Sequence, residues 1–306
     1  MASSQLADRL ASGGFALTAE VVPPRSGEPA AVLARAEALR GKVDAVNLTD
    51  GAGAQTAMAS LPAAAILARG GIEPVLQMTC RDRNRIALAG DLLGAGALGI
   101  RNLLLLTGDD PSQGDQPEAK PVFDLGSAEL LALAAGIRDH GRLPSGRQVD
   151  DPPDFLIGAA DLPIDPAPDW RPDGLRAKVD AGARFVQTQL CFDIGVIRRY
   201  VGRLRDEGLT EGLGILIGLG PLASARSARW MRDNLFGVLL PDELIARLEG
   251  AADARAEGIR ICGELLAQLA EVPGVAGAHL MAPVNPADIP AAIAAAGPLP
   301  GRAAKG

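Results

Sequence analysis

The segment Phe15-Ala-Leu-Thr-Ala-Glu-Val-Val-Pro-Pro-Arg25 decides between the two α/β folds that this chain could adopt. It begins as a short apolar run, which is typical of a strand buried on both faces. A doubly wound sheet usually carries a glycine-rich phosphate-binding turn directly after its first strand. Here the strand ends in a carboxylate and two prolines instead, so the segment favours a barrel.

Seven further apolar runs follow the first, and helix-like sequence separates each from the next. Eight β-then-α units in one chain predict an α/β fold of the (β/α)8 TIM-barrel type. The length of 306 residues suits one such domain spanning 1–306. The seven runs are Val43 to Leu48, Pro74 to Met78, Asn102 to Leu106, Phe155 to Ala159, Phe185 to Gln189, Gly214 to Ile217 and Ala278 to Met281.

The intervening helices are predicted from their Ala- and Leu-rich amphipathic pattern. They are Pro29 to Leu39, Thr56 to Ala68, Arg83 to Leu98, Ala128 to Arg138, Gly174 to Ala181, Ile194 to Glu207, Ser224 to Asn234, Asp253 to Ala270 and Pro286 to Ala295.

Composition excludes several classes of protein. The net charge is −7 and no basic stripe is visible, which argues against a nucleic-acid-binding protein. No stretch reaches about 18 apolar residues, so no membrane span is expected. Residues 1–12 lack the apolar core of a signal peptide, so cytoplasm is the expected location. Cys80, Cys191 and Cys262 are far apart, which favours reduced thiols over a disulfide framework or a zinc site.

Polar residues stand where the predicted strands end, and the carboxyl ends of TIM-barrel strands build the active site. Glu20 is the sharpest candidate. A partly desolvated carboxylate there can have a raised pKa and act as a general acid. An ion pair with Arg25 or another arginine explains Glu20 equally well. Asp109 is either an ordinary turn residue or a carboxylate that faces a cofactor.

The sixth strand carries two amides that can bind a ligand. Gln187 and Gln189 share one face of the strand, because alternate residues point the same way. An inward-facing amide costs free energy unless something satisfies it, so ligand contact is favoured for this pair. His279 is expected to be a satisfied histidine inside the barrel. No His, Asp or Glu spacing indicates a metal site.

These segments resemble methylenetetrahydrofolate reductases, with the motifs in the family's order from Phe15 to Met281. The resemblance is closest to the short single-domain bacterial type. The motifs are Glu20-Val-Val-Pro-Pro-Arg25, Asn47-Leu-Thr49-Asp50, Gln77-Met-Thr-Cys-Arg-Asp-Arg-Asn84, Leu106-Thr-Gly-Asp109, Lys178-Val-Asp-Ala-Gly182 and Gln187-Thr-Gln189.

The resemblance implies an oxidoreductase of one-carbon metabolism, in which a flavin lies over the carboxyl-end mouth of the barrel. NADH or NADPH would reduce the flavin, and the flavin would reduce 5,10-methylenetetrahydrofolate to 5-methyltetrahydrofolate, or run in reverse in a demethylation pathway. FAD is expected, with FMN and a flavin-free branch as open alternatives.

The resemblance also implies roles for individual residues. Glu20 is the expected general acid, Asp109 the carboxylate beside flavin and pterin, and Gln189, with Gln187, the folate contact. The expected cofactor-binding residues are Thr49, Gln77, Thr79, Thr107, Gly108 and Lys178.

The chain also departs from the better-known bacterial enzymes. Those enzymes have histidine where this chain has Gln77 and arginine where it has Thr107. The stretch Gly158 to Gly174 lacks the tyrosine, histidine, aspartate and asparagine of their flavin-binding segment. Two other functions remain open: a TIM-barrel lyase or aldolase, and a folate-binding subunit of a larger reductase complex. The oligomeric state is also open, and a homo-oligomer is one possibility.

Overall fold

The computed structural model describes residues 4–282 and 285–302. Its strands are β1 (Ala16–Val21), β2 (Ala45–Leu48), β3 (Pro74–Thr79), β4 (Asn102–Leu106), β5 (Leu156–Asp161), β6 (Phe185–Leu190), β7 (Gly214–Leu219) and β8 (Gly277–Met281). Its helices are α1 (Gln5–Ala11), α2 (Pro29–Ala36), α3 (Ser60–Arg69), α4 (Arg85–Ala97), α5 (Ser127–His140), α6 (Asp173–Asp180), α7 (Ile194–Asp206), α8 (Ala225–Asn234), α9 (Asp242–Gly250), α10 (Ala254–Leu269) and α11 (Asp288–Ala295).

The eight strands pair in sequence order and close into a barrel. Every pair is parallel, and β8 closes the barrel against β1, with Thr18 opposite His279. The predicted (β/α)8 fold is therefore confirmed, and each predicted strand lies within two residues of the observed one. The agreement follows from burial on both faces, which makes each strand a nearly continuous apolar run.

The barrel interior is apolar at the amino-terminal end of the strands and polar towards their carboxyl-terminal end. One buried cluster at that end contains Leu6, Ala16, Ala45, Val75, Leu104, Phe185 and Leu216. Leu6 belongs to α1, so this short helix contributes to the floor of the barrel. The Phe185 ring fills the space beside Gly158, where a Cβ would lie 2.2 Å from it. The packed floor leaves the opposite end of the barrel for a ligand.

Helices α1, α2 and α9 differ from the sequence prediction. Helices α1 and α9 were not predicted, although Ser4 caps α1 and Asp242 and Glu243 occupy the first turn of α9. Helix α2 ends at Ala36, and a 3-10 turn continues it over Glu37–Leu39. These elements are short, and a pattern of seven to nine residues is weak evidence for a helix.

Helix α3 begins at Ser60, four residues later than the predicted start at Thr56. The backbone N–H and the hydroxyl of Thr56 both donate to Asp115 Oδ1, at 2.9 and 3.1 Å. The Met58 N–H donates to the Pro24 carbonyl at 3.1 Å. These bonds hold 56–59 in the loop above the barrel, so tertiary contacts override the helical propensity of this stretch.

Within 4–282 and 285–302, no helix is long and apolar enough to cross a membrane. In the same part of the chain, no group of three or more His, Cys, Asp or Glu side chains is arranged to hold a metal ion.

Candidate active site at the carboxyl end of the barrel

Glu20 lies near the end of β1, where the barrel opens. Its side chain is 23% exposed, and both contacts that the described residues make with its carboxylate fall on Oε2. Gln77 Nε2 donates to this oxygen at 3.1 Å, and His279 Nε2 lies 3.6 Å from it. The alternative of an ion pair with Arg25 is wrong, because Arg25 bonds to the loop residues Gln55 and Thr56.

The electrostatics of Glu20 also differ from expectation. Burial raises the pKa of the Glu20 carboxyl, but His279 and Gln77 lower it through hydrogen bonds and charge, and the net pKa lies below its ordinary value of 4.5. The expected raised pKa is therefore wrong for this structure. The sequence could not show that strands β3 and β8 bring two donors to the carboxylate, and donors to the charged form lower a pKa.

A chain of buried polar side chains lies below Glu20 inside the barrel. Thr18 Oγ1 lies 2.9 Å from His279 Nδ1 and accepts a hydrogen bond from Gln187 Nε2 at 2.9 Å. Gln187 and Asn47 bond reciprocally: Asn47 Nδ2 donates to Gln187 Oε1 at 2.6 Å, and Gln187 Nε2 donates to Asn47 Oδ1 at 3.1 Å. All four side chains are at most 3% exposed.

This network gives Gln187 protein partners where the sequence predicted contact with a ligand. Its amide is satisfied by Thr18 and Asn47, so the free-energy cost of burying it is met within the protein. His279 is confirmed as a satisfied barrel histidine, yet it also belongs to the site through its contact with Glu20.

Gln189 occupies a different environment from Gln187. An irregularity in the pairing of β6 with β7 lies between Gln187 and Leu190, so the two glutamines do not act as a pair. Gln189 Nε2 donates to the Phe236 carbonyl at 3.1 Å, and its Oε1 accepts from the Leu190 N–H at 2.9 Å. The Gln189 side chain is partly exposed, and the Phe236 side chain is 83% exposed. Gln189 therefore remains accessible to a ligand.

Thr49 carries a buried hydroxyl with an unmet hydrogen-bonding capacity. The residue is 2% exposed, and its Oγ1 has no hydrogen-bond partner among the described residues. It directly follows β2 at the carboxyl end of the barrel. A buried polar atom without a partner is unfavourable by itself and calls for an explanation, of which a bound ligand is one.

Asp50 joins the loops that follow β2 and β3. Its Oδ2 accepts from the backbone N–H and the hydroxyl of Thr79, at 2.8 and 3.0 Å, and from Arg83. Its Oδ1 accepts from the Ser60 hydroxyl at 3.1 Å. The hydroxyl hydrogen of Thr79 is therefore committed to Asp50, which leaves only acceptor capacity for the predicted cofactor contact.

The loop after β4 carries three predicted site residues on the rim of the barrel. Thr107 and Asp109 are exposed, and Asp109 Oδ2 accepts from the Gly53 N–H at 2.8 Å. Gly108 has a φ of +100°, and a Cβ there would lie 2.9 Å from Arg81 Cβ. This position therefore requires glycine. Asp109 ties the loop after β4 to the loop after β2.

The side chain of Lys178 lies at the carboxyl end of β5. Its Nζ donates to the Ala160 carbonyl at 2.6 Å and lies 3.9 Å from Asp161 Oδ1. Its side chain is 25% exposed, so the cation remains accessible. The neighbouring cations Arg171 and Arg176 both pair with Glu207.

The three cysteines are buried and free. Burial raises the pKa of Cys80 to about 11 and of Cys191 to about 12, and it raises the pKa of Cys262 as well. The thiolate is the nucleophilic form, so these side chains are poorly suited to covalent catalysis.

Thr18 is a site residue that the sequence did not indicate. The only signal was its position two residues before Glu20, which places both side chains on one face of β1. Asn47 is a polar residue at the end of the second strand and part of a family motif, but the sequence predicted no role for it.

The chain is similar to several known proteins. Residues 5–296 match the family model described as methylenetetrahydrofolate reductase. A probable methylenetetrahydrofolate reductase (NADPH) of Caenorhabditis elegans is 30% identical over 61% of this chain and 26% of its own length. Methylenetetrahydrofolate reductase 1 of Schizosaccharomyces pombe is 28% identical over 65% of this chain and 31% of its own length. The 5,10-methylenetetrahydrofolate reductase of Salmonella typhimurium is 27% identical over 65% of this chain and 60% of its own length.

The chain spans less than two thirds of the length of these curated relatives, at 26%, 31% and 60%. Among solved structures, a tryptophan synthase from M. tuberculosis matches with a TM-score of 0.42 and 18% identity, over 84% of this chain and 97% of that chain. The fold assignment rests on the closed barrel of this chain and not on that similarity. The match to the family model covers nearly the whole chain, and the chain therefore belongs to the methylenetetrahydrofolate reductase family.

Proposed function

We propose that residues 1–306 form one catalytic domain that reduces 5,10-methylenetetrahydrofolate to 5-methyltetrahydrofolate, with NAD(P)H as the electron source and a flavin as carrier. Family membership supports the reaction class. The observation that carries the proposal is the Glu20 carboxylate, held by Gln77 and His279 at the open end of the barrel.

Glu20 has the task of protonating the bridge nitrogen of the folate. An amine is a poor leaving group, so the methylene bridge opens to an electrophilic iminium only after that nitrogen has taken a proton. Gln77 donates to Oε2 and His279 lies 3.6 Å from the same oxygen, which leaves Oε1 without a hydrogen-bond partner in the described part of the chain. Oε1 is therefore the oxygen that delivers the proton.

Ligand binding supplies the shift that an acid role requires. Without ligand, the pKa of Glu20 lies below its ordinary value, so the carboxyl is ionised at neutral pH. A ring system that covers the mouth removes water from the 23% of the side chain that is exposed. Desolvation disfavours the charged form, so substrate binding raises the Glu20 pKa and promotes uptake of the proton to be transferred.

The residues at the mouth fit the ring end of a flavin. Thr49 Oγ1 is a buried hydroxyl that a polar ring edge would satisfy, and Gly108 brings backbone close to the same opening. When bound, the flavin supplies the capacity to accept a hydride from NAD(P)H and to pass it to the one-carbon unit. Asp109 is proposed to lie beside the flavin and the pterin, and its anchorage to Gly53 fixes its loop.

Fewer side chains are available to hold the phosphate end of the flavin than its ring end. Lys178 is the cation that we propose for a phosphate, because its ion pair with Asp161, at 3.9 Å, is longer than the ion pairs of Arg171 and Arg176 with Glu207. Breaking the Lys178 bond to the Ala160 carbonyl is a modest cost against a charge-assisted bond to phosphate. We propose FAD as the flavin, with FMN as the alternative.

Gln189 is proposed to bind the folate. Its amide lies at the end of β6 and is partly exposed. The bond to the Phe236 carbonyl orients the side chain and leaves acceptor capacity on Oε1.

A visible spectrum of the purified chain, followed by extraction and chromatography of the cofactor, tests this proposal. We expect bound, non-covalent flavin and NAD(P)H-dependent reduction of the folate. A colourless protein that reduces the folate directly would show flavin-free chemistry. A colourless protein without NAD(P)H oxidation would favour a lyase, or a subunit that needs a partner for electrons.

A further inference from the structure

Four side chains inside the barrel form one hydrogen-bonded series: His279, Thr18, Gln187 and Asn47. At the upper end of this series, His279 Nε2 lies 3.6 Å from Glu20 Oε2. The four residues below Glu20 are at most 3% exposed. Water is therefore a poor substitute for any bond that one of them loses, and the positions of the hydrogens in the series depend on one another.

The orientation of the two amides in the structure sets the polarity of this series. Gln187 Nε2 uses one hydrogen on Asn47 Oδ1 and its other hydrogen on Thr18 Oγ1. Thr18 therefore accepts at its oxygen, and its single hydroxyl hydrogen needs an acceptor elsewhere. The remaining contact of that hydroxyl is His279 Nδ1, at 2.9 Å.

The consequence for His279 follows directly. If Nδ1 accepts from Thr18, the neutral ring carries its hydrogen on Nε2, and Nε2 faces Glu20 Oε2 at 3.6 Å. A hydrogen on Nδ1, in the other tautomer or in the imidazolium, would leave the Thr18 hydroxyl as a buried donor without an acceptor. Such a group is unfavourable in a protein interior.

The opposite orientation of both amides would place different hydrogens on the ring of His279. Rotating both amides by 180° keeps the Asn47–Gln187 pair but points Gln187 Oε1 at Thr18. Thr18 would then donate to Gln187 and accept from His279 Nδ1. The neutral ring would present a lone pair to Glu20, which suits only a protonated carboxyl.

We propose that the Asn47–Gln187 amide pair is a positioning device that holds His279 as the neutral Nε2–H tautomer facing Glu20. The inference deepens the proposed function, and its relevance to catalysis rests on the acid role of Glu20.

The chain offers a direct measurement, because it contains only two histidines. Nitrogen-15 NMR of the full chain with labelled histidine reports, for each ring, which nitrogen carries a hydrogen. His140 ends α5 and is exposed, and a His140→Gln variant assigns its signals. In the wild type we expect the Nε2–H tautomer of the neutral His279 ring to exceed the Nδ1–H tautomer by at least tenfold, about 1.4 kcal/mol.

Gln187→Glu is the decisive variant, because it keeps the shape and replaces the donor to Thr18 with an acceptor. The Thr18 hydroxyl should then donate to the new carboxylate, and His279 should carry a hydrogen on Nδ1. We expect at least a tenfold rise in the Nδ1–H or imidazolium population. Gln189→Glu is the matched control, since that side chain bonds to Phe236 and not to this series, and it should leave the His279 signals unchanged.

Gln187→Met covers the case in which a buried carboxylate prevents folding, because it removes the donor without adding a charge. It should also lower the excess of the Nε2–H form by about tenfold. A wild-type ring with its hydrogen on Nδ1, or a folded Gln187 variant with unchanged His279 signals, would overturn the proposal. The NMR result does not depend on catalysis, so a failure of the reductase assignment would be seen separately in the Glu20 half-reactions.

Discussion

Glu20 Oε2 and His279 Nε2 lie 3.6 Å apart at the junction of β1 and β8, where the barrel closes. His279 also contacts Thr18, which precedes Glu20 by two residues on the same strand. The group proposed to transfer a proton is thus held from below by the buried core of the barrel, and its open side faces the mouth.

Thr49→Val should change flavin affinity and protein stability in opposite directions. Valine has nearly the same shape and removes a buried hydroxyl that has no hydrogen-bond partner within 4–282 and 285–302. The flavin-free protein should be more stable by about 1 kcal/mol, while flavin affinity falls. Thermal unfolding with and without flavin measures both effects.

Thr18→Val is the matched control for that substitution. The Thr18 hydroxyl bonds to Gln187 and His279, so its loss should destabilise the protein instead. If Thr49→Val also destabilises the flavin-free protein and leaves flavin content unchanged, Thr49 is a core residue and not a ligand contact.

Gln189→Ala should weaken folate binding more than flavin binding. The partly exposed amide is available to a ligand, and a lost contact of this kind costs roughly 1–3 kcal/mol. The Michaelis constant for the folate should rise while the flavin content per chain stays constant. Unchanged folate kinetics would remove Gln189 from the folate site.

The pH dependence of stability should report the environment of Glu20. Its folded pKa lies below the ordinary value of 4.5, so ionisation stabilises the folded protein above that pH, and this contribution is lost as the pH falls through the folded value. The free energy of unfolding of the wild type, relative to Glu20→Gln, should therefore rise from acidic to neutral pH. A relative stability that falls with rising pH would show that desolvation dominates over His279 and Gln77.

The fold was predictable because it depends on local patterns. Strands buried on both faces are continuous apolar runs, and β4, for example, has the same bounds in the prediction and in the structure. Helix α9 was missed because it is one of two short helices between β7 and α10, where the simple alternation of strand and helix no longer applies.

The site was predictable only in part, because its chemistry depends on partners that are distant in sequence. The position of Glu20 at a strand end could be read from the chain, but its partner His279 lies 259 residues away, as the two residue numbers show. Gln187 illustrates the same limit: strand periodicity placed it inside the barrel, and only the structure shows that Asn47 satisfies it.

The central claim is that Glu20 supplies the proton for the folate half-reaction, and stopped-flow kinetics of Glu20→Gln tests it most directly. The amide keeps the size of the side chain but is no acid of suitable strength. Flavin reduction by NAD(P)H needs no proton from Glu20 and should stay within a few-fold of wild type. Flavin reoxidation by methylenetetrahydrofolate should fall by at least about a hundredfold, since general acid catalysis contributes about 10²–10⁴-fold. Equal slowing of both half-reactions, or of neither, would contradict the assignment of Glu20 as the acid.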